Sequence, residues 1–281
     1  MSEHVQGKLL IIGGAEDKTG ECKILKCFVR EAQAQTVVIL TAATEYPGQV
    51  GAEYTELFQR LGVRDVRVLD VANRRQANSE SVVCQLETAS GVFFTGGDQL
   101  RITGLIGGTL LGRTLQHLYE RGVIMAGTSA GASVMSDTMI VGGEAGTPKK
   151  STLAMAPGLG LLRAIVIDQH FAQRGRIGRL LEAIAHNPYV LGIGLDEDTA
   201  ILVSSDGKFQ VVGSQTVTVV DASPSEATNL SESLPGQPLA LTPVVMHVLP
   251  EGYEFDLKQR MCLKNGPADG PGNTSSEKGQ N

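Results

Sequence analysis

Short, near-continuous apolar runs recur along this chain, each closing on glycine or a small polar residue, with helical patterns in the intervals between them. Lys8-Leu9-Leu10-Ile11-Ile12 ends at Gly13-Gly14, Thr36-Val37-Val38-Ile39-Leu40 at Thr41, and Gly91-Val92-Phe93-Phe94 at Thr95-Gly96-Gly97. Asp65 to Leu69, Val123 to Ala126 and Ala164 to Ile167 repeat the pattern. Runs without alternation are strands covered on both faces, as in parallel sheets. Residues 22–33, 54–61, 79–88 and 110–120 carry helical spacing. Alternation of this kind predicts an α/β fold with a doubly wound, mostly parallel sheet. Beyond Tyr189, short runs at 190–195, 200–204, 209–212 and 217–220 come with tight turns such as Ser205-Asp206-Gly207. They predict C-terminal antiparallel strands added to the main sheet. A length of 281 residues suits one domain, expected over 7–265. The ends, 1–6 and the Gly-, Pro- and Ser-rich 266–281, are expected to be flexible, and 223–238 reads as a polar loop.

In open α/β sheets chemistry gathers at the carboxyl ends of strands. One such end reads Gly127-Thr128-Ser129-Ala130-Gly131-Ala132. A serine between two glycines at a strand-to-helix turn is the nucleophile-elbow pattern. A Cβ two positions from the serine would clash there, and the turn lifts the hydroxyl out of the backbone at the start of a helix. The same residues also make ordinary loops; the preceding apolar run favours the elbow.

A serine hydroxyl needs a base and a group to orient that base. Of five histidines, His4 lies in an end, His117 and His186 on helices, and His247 in a late run. His170 alone directly follows a buried strand. For the orienting acid, Asp196-Glu197-Asp198 competes with Asp137 and Glu144. Two backbone N–H groups, those of Ala130 and Gly97, are placed to meet a developing oxyanion. Arg174, Arg176 and Arg179 follow His170; they make either a solvated helix face or forks for carboxylates. With Asp168, Gln169 and Gln99 they suggest a substrate bearing both carboxylate and cationic groups.

The composition excludes other classes. A formal charge of −6 with no basic segment argues against nucleic acid. No apolar stretch approaches a membrane span, and Met1 to Gln6 lack a signal pattern, so a cytoplasmic location is expected. Cys22, Cys27, Cys84 and Cys262 match no zinc or redox spacing and read as reduced and structural. No metal and no cofactor are expected.

Gly13-Gly14-Ala15-Glu16-Asp17, Gly96-Gly97-Asp98-Gln99, the 127–132 motif, and Asp168-Gln169-His170-Phe171 with its spaced arginines closely resemble the cyanophycinases. These form part of a serine peptidase family that also contains peptidase E, the aspartyl dipeptidase. The resemblance runs in order from Lys8 to Asp221 and more loosely through 251–257. It implies a flavodoxin-like fold related to class I glutamine amidotransferases, a cytoplasmic homodimer, and no metal. The implied substrate is cyanophycin, a polyaspartate carrying arginine in isopeptide linkage, and the products are β-aspartyl-arginine dipeptides. It also implies roles: Ser129 nucleophile, His170 base, Glu197 orienting acid, and Gln99, Asp168, Gln169, Arg174, Arg176 and Arg179 as substrate contacts. On that reading Arg179 could be removed with the fold intact. Alternatives are an aspartyl dipeptidase, or a non-catalytic binding protein on the same scaffold.

Overall fold

The computed structural model describes residues 7–263; both expected flexible ends, 1–6 and 266–281, lie outside them. Numbered along the chain, β1 (Leu9–Ile12), β2 (Thr36–Leu40), β3 (Asp65–Leu69), β4 (Gly91–Phe94) and β5 (Ile124–Thr128) run parallel. Their spatial order is β1-β5-β4-β2-β3. Beyond β1 the sheet continues antiparallel through β10 (Thr199–Val203), β11 (Lys208–Gly213), β16 (Glu254–Asp256) and β17 (Met261–Leu263), nine strands in all.

The apolar runs are continuous because this sheet is buried twice. Leu10, Ile12, Val37, Ile39 and Phe93 face helices α1 (Lys23–Glu31) and α2 (Pro47–Arg60), meeting Leu25, Phe28 and Phe58. Leu9, Ile11, Val38, Leu40 and Phe94 face the other way, onto α5 (Gln99–Ile106) and α6 (Leu110–Glu120). Each fully buried side chain of this size contributes about 1.5–3 kcal/mol. Helix α2 begins well before the predicted residue 54. Pro47 starts it, since proline suits the first helical turn. The predicted 79–88 helix is instead one turn, α4 (Glu80–Val83), followed by a 3₁₀ turn over Cys84–Leu86. The short α3 (Arg74–Ala77) is capped by Asn73, whose side chain accepts from the Gln76 N–H.

One expectation about the sheet is corrected. The run ending at Ile167 belongs to a second, four-stranded sheet of order β15-β12-β9-β8. Its strands are β8 (Ile165–Gln169), β9 (Leu191–Leu195), β12 (Val217–Asp221) and β15 (Val245–Leu249). Helix α8 (Ile177–His186) crosses between β8 and β9, which pair in parallel. So 190–195 and 217–220 leave the main sheet, while 200–204 and 209–212 extend it. The physical reason is that this second sheet is also covered twice. Ile167, Ile193 and Val219 share the core with Leu9 and Ile11, and Val166 and Val220 pack on Leu180 and Ile184. A doubly buried strand looks alike in either sheet.

Two small antiparallel pairs complete the fold: β6 (Thr138–Gly142) with β7 (Ala154–Pro157), and β13 (Ala227–Thr228) with β14 (Leu241–Thr242). All four cysteines are free; Cys22 and Cys27 are buried, whereas Cys84 is exposed, so packing does not explain it. Among the described residues, no helix is long and apolar enough to cross a membrane.

Candidate active site

Strand β5 delivers Ser129 into a turn that only glycine neighbours permit. A Cβ on Gly127 would lie 2.3 Å from the Gly131 carbonyl oxygen, and one on Gly131 would lie 2.4 Å from that of Phe94. Ser129 itself is left at φ 52°, ψ −109°, a conformation costing on the order of 1–3 kcal/mol and typical of functional positions. The following helix, α7 (Ala130–Ser133), is a single turn. Its dipole is correspondingly small, and the individual N–H groups matter more.

The end of β1 holds the site together. Three consecutive carbonyls accept hydrogen bonds there: Ile12 from the Ser129 N–H (3.0 Å), Gly13 from the His170 N–H (2.8 Å), and Gly14 from the Asp198 N–H (2.9 Å). Each bond fixes the backbone of a different segment of the site. Gly14 is also shaped for its neighbour. At φ +104°, a Cβ on it would lie 2.3 Å from His170 Cε1 and 2.6 Å from Nε2.

Side chains converge in consequence. Ser129 Oγ lies 3.0 Å from His170 Nε2, and His170 Nδ1 lies 2.6 Å from Glu197 Oε1. These are hydrogen-bonding distances. Among the described residues the other histidines are elsewhere: His117 and His186 are exposed on their helices, and His247 packs against Phe255. The competing acids are also distant in role. Asp137 accepts from the Ala164 N–H and Glu144 pairs with Lys149. Asp196 is occupied by Ala172 and Thr216, and Asp198 by the Asp17 N–H. Burial pushes the His170 pKa below its ordinary value; the Glu197 hydrogen bond pulls it up, and Arg174 and Arg176 push it further down. A neutral imidazole is the form a general base requires.

Gly97 lies at the end of β4, beside the serine turn; a Cβ on neighbouring Gly96 would be 3.6 Å from Ser129 Cβ. Gly97 has φ +142°, and a Cβ on it would strike the Ala43 carbonyl oxygen at 2.2 Å, so the position demands glycine. Gln99 opens α5 and donates to the Ile140 carbonyl at 3.0 Å.

The three arginines do not behave alike. Arg174 is exposed. Arg176 donates to Gln169 Oε1 (2.9 Å) and to the Gln169 carbonyl (2.5 Å). Arg179 is buried and grips Asp168 with two hydrogen bonds, Nε to Oδ2 at 2.6 Å and Nη2 to Oδ1. Burial pushes the Asp168 carboxyl up, against the pull of Arg179 and Arg176. The buried pair speaks against the expectation that Arg179 could be removed with the fold intact, because its loss would strand a buried acid.

Two residues stand here without a role read from sequence. Glu16 is buried beneath the turn and accepts from Thr128 Oγ1 (2.5 Å) and the Tyr54 hydroxyl (2.5 Å). The sequence signal was present in Gly13-Gly14-Ala15-Glu16-Asp17, directly after the first strand; what it lacked was Tyr54, contributed by α2. Among the described residues, no group of three or more His, Cys, Asp or Glu side chains is placed to hold a metal.

Residues 9–211 match the model of the family described as Peptidase family S51. The chain belongs to peptidase family S51. It is therefore a serine-type peptidase. A cyanophycinase from Nostoc sp. is 42% identical over 261 residues, covering 91% of this chain and 87% of the relative. A cyanophycinase from Geminocystis herdmanii is 38% identical over 262 residues, covering 92% of this chain and 96% of the relative. Among solved structures, a peptidase from an acI-B1 Actinobacterium superposes with a TM-score of 0.60 at 22% identity, covering 87% of this chain and 98% of that one. This last likeness concerns the fold alone.

Proposed function

We propose that the chain is a serine exopeptidase that hydrolyses cyanophycin to β-aspartyl-arginine dipeptides through Ser129, His170 and Glu197. The observation that carries the catalytic part is the unbroken pair of contacts, 3.0 Å from Ser129 Oγ to His170 Nε2 and 2.6 Å from His170 Nδ1 to Glu197 Oε1. The substrate is supported by the curated cyanophycinases, which match at 37–42% identity over about nine-tenths of the chain.

In this reading the turn at Ser129 is a nucleophile elbow. His170 takes the hydroxyl proton as Ser129 Oγ attacks the scissile carbonyl, and Glu197 holds the imidazole with Nε2 toward the serine. The Ala130 and Gly97 N–H groups bind the oxyanion. The tetrahedral intermediate collapses to an acyl-enzyme as His170 returns the proton to the leaving amine. Water, deprotonated by the same imidazole, then releases the acid and restores Ser129.

Arg174, Arg176, Gln169 and Gln99 contact the substrate. The Asp168–Arg179 pair serves beneath them: Asp168 lies 3.5 Å from Arg176 Nη1 as well as bonding Arg179, so it helps fix the Arg176 guanidinium. The parallel half of the sheet is flavodoxin-like, as in class I glutamine amidotransferases. Strands β3-β2-β4-β5 follow the flavodoxin order 2-1-3-4, and β1 takes the fifth place. The protein acts as a cytoplasmic homodimer with one domain, expected over 7–265, of which 264–265 lie outside the described residues.

Incubation with insoluble cyanophycin tests the substrate. The expected soluble product has the mass of β-aspartyl-arginine. Cleavage of aspartyl dipeptides with no release from the polymer would assign the chain to the peptidase E activity instead.

A further inference from the structure

One wall of the site carries two carboxylates and an aromatic ring. An open cleft of about 230 Å³ runs beside Ser129 and Gly96 and is also lined by Glu16, Glu53, Tyr54 and Lys18. Two elements make it. The loop after β1 supplies Glu16 and Lys18; α2 supplies Val50, Glu53 and Tyr54, which share a helix face at i, i+3 and i+4. The acidic side chains outnumber the single cation there. Glu16 has only the hydroxyls of Thr128 and Tyr54 as hydrogen-bond partners among the described residues.

The cleft already holds a cation of its own. Lys18 Nζ sits 4.4 Å from the Tyr54 ring centroid and 2.8 Å from Glu53 Oε1. An aromatic face with a carboxylate beside it is a cation box rather than an acidic patch. Lys18 holds it loosely. Its ammonium is strongly hydrated, its stem is flexible, and Glu53 is half-exposed, so the pair is worth little. A guanidinium fits the same place better. It is planar, stacks on an aromatic face, is more weakly hydrated, and forks onto a carboxylate with two hydrogen bonds.

We propose that Tyr54 and Glu53, with Glu16 behind them, form the subsite for the guanidinium of a substrate arginine, and that Lys18 occupies it in the free protein. The assignment rests on the cyanophycin reading and deepens it. It gives the site two kinds of contact: Arg174 and Arg176 for substrate carboxylates, and the α2 cleft for the arginine tip. Substrate binding swings Lys18 out to solvent. A cationic side chain is thereby distinguished from a neutral one of the same shape.

The test uses short aspartate oligomers carrying either arginine or citrulline, its neutral isostere, in β-linkage. Wild-type protein is expected to favour the arginine oligomer by about tenfold in kcat/KM. Glu53→Gln is expected to raise KM for the arginine oligomer about fivefold and so to narrow its preference over the citrulline oligomer to about twofold. Lys18→Ala, which removes the internal competitor, is expected to lower KM for the arginine oligomer alone. An equal effect of Glu53→Gln on both oligomers, or a KM raised for both by Lys18→Ala, would refute the subsite while leaving the peptidase intact. Cleavage of neither oligomer by the wild type would overturn the cyanophycin reading itself, and the subsite with it.

Discussion

Replacing Gly14 by alanine tests whether the first strand's end really sets the catalytic geometry. The added Cβ would lie 2.3 Å from His170 Cε1 and 2.6 Å from Nε2. Ordinary contact begins at 3.4 Å, so the imidazole must retreat by on the order of 1 Å. The Ser129–His170 distance, now 3.0 Å, would then exceed hydrogen-bonding range. A displacement of this size lowers turnover roughly 100-fold, or about 2.7 kcal/mol of transition-state stabilisation. The backbone adds a separate effect, since φ +104° disfavours any side chain by about 1–2 kcal/mol of stability. Gly62→Ala separates the two effects. Gly62 has φ +91° and open space around it, so alanine there brings strain without the clash. Dipeptide release from cyanophycin under saturating substrate, with thermal unfolding alongside, reads both. Gly14→Ala should lose kcat while remaining folded, and Gly62→Ala should lose some stability and keep kcat. A Gly14→Ala protein with near-normal kcat would refute the placement of His170.

Three more outcomes follow from the same geometry. The acid limb of kcat/KM should fall below the ordinary imidazole value, because burial lowers the His170 pKa and activity is lost only once that ring is protonated; a limb displaced upward would contradict this. Glu197→Gln should lower kcat by about 10³-fold and move the limb lower still, since Glu197 raises the His170 pKa. An unshifted limb would mean that the carboxyl does not act on that ring. Arg179→Ala should destabilise the protein by about 3–5 kcal/mol in denaturant unfolding, because Asp168 would remain buried without its partner; unchanged stability would return Arg179 to a purely substrate-facing role.

Local chemistry was legible in the residues, and long-range pairing was not. The serine turn announces itself because glycine, serine and a buried strand are all required within a few positions. His170 follows from its place directly after a buried run. Sheet membership could not be read in the same way. The strand leading to His170 has the same apolar pattern as β1, and only its pairing with β9 sets it in the second sheet. The start of α2 was missed although Pro47 marks it. The Asp168–Arg179 pair was hidden for another reason: a run of arginines after a histidine looks the same whether it faces substrate or turns inward. Burial decides that, and burial depends on how α8 packs. The joint support of Ser129, His170 and Asp198 by Ile12, Gly13 and Gly14 is likewise a property of three segments meeting, with only the glycines visible beforehand.

The most direct measurement is rapid quenching of the reaction followed by peptide mapping by mass. If Ser129 is the nucleophile, an aspartyl-derived acyl adduct appears within the turnover time on the peptide containing Ser129, and Ser129→Ala shows neither adduct nor product, its kcat reduced by about 10⁴-fold or more. Continued turnover by Ser129→Ala, or an adduct on a different residue, would contradict the account.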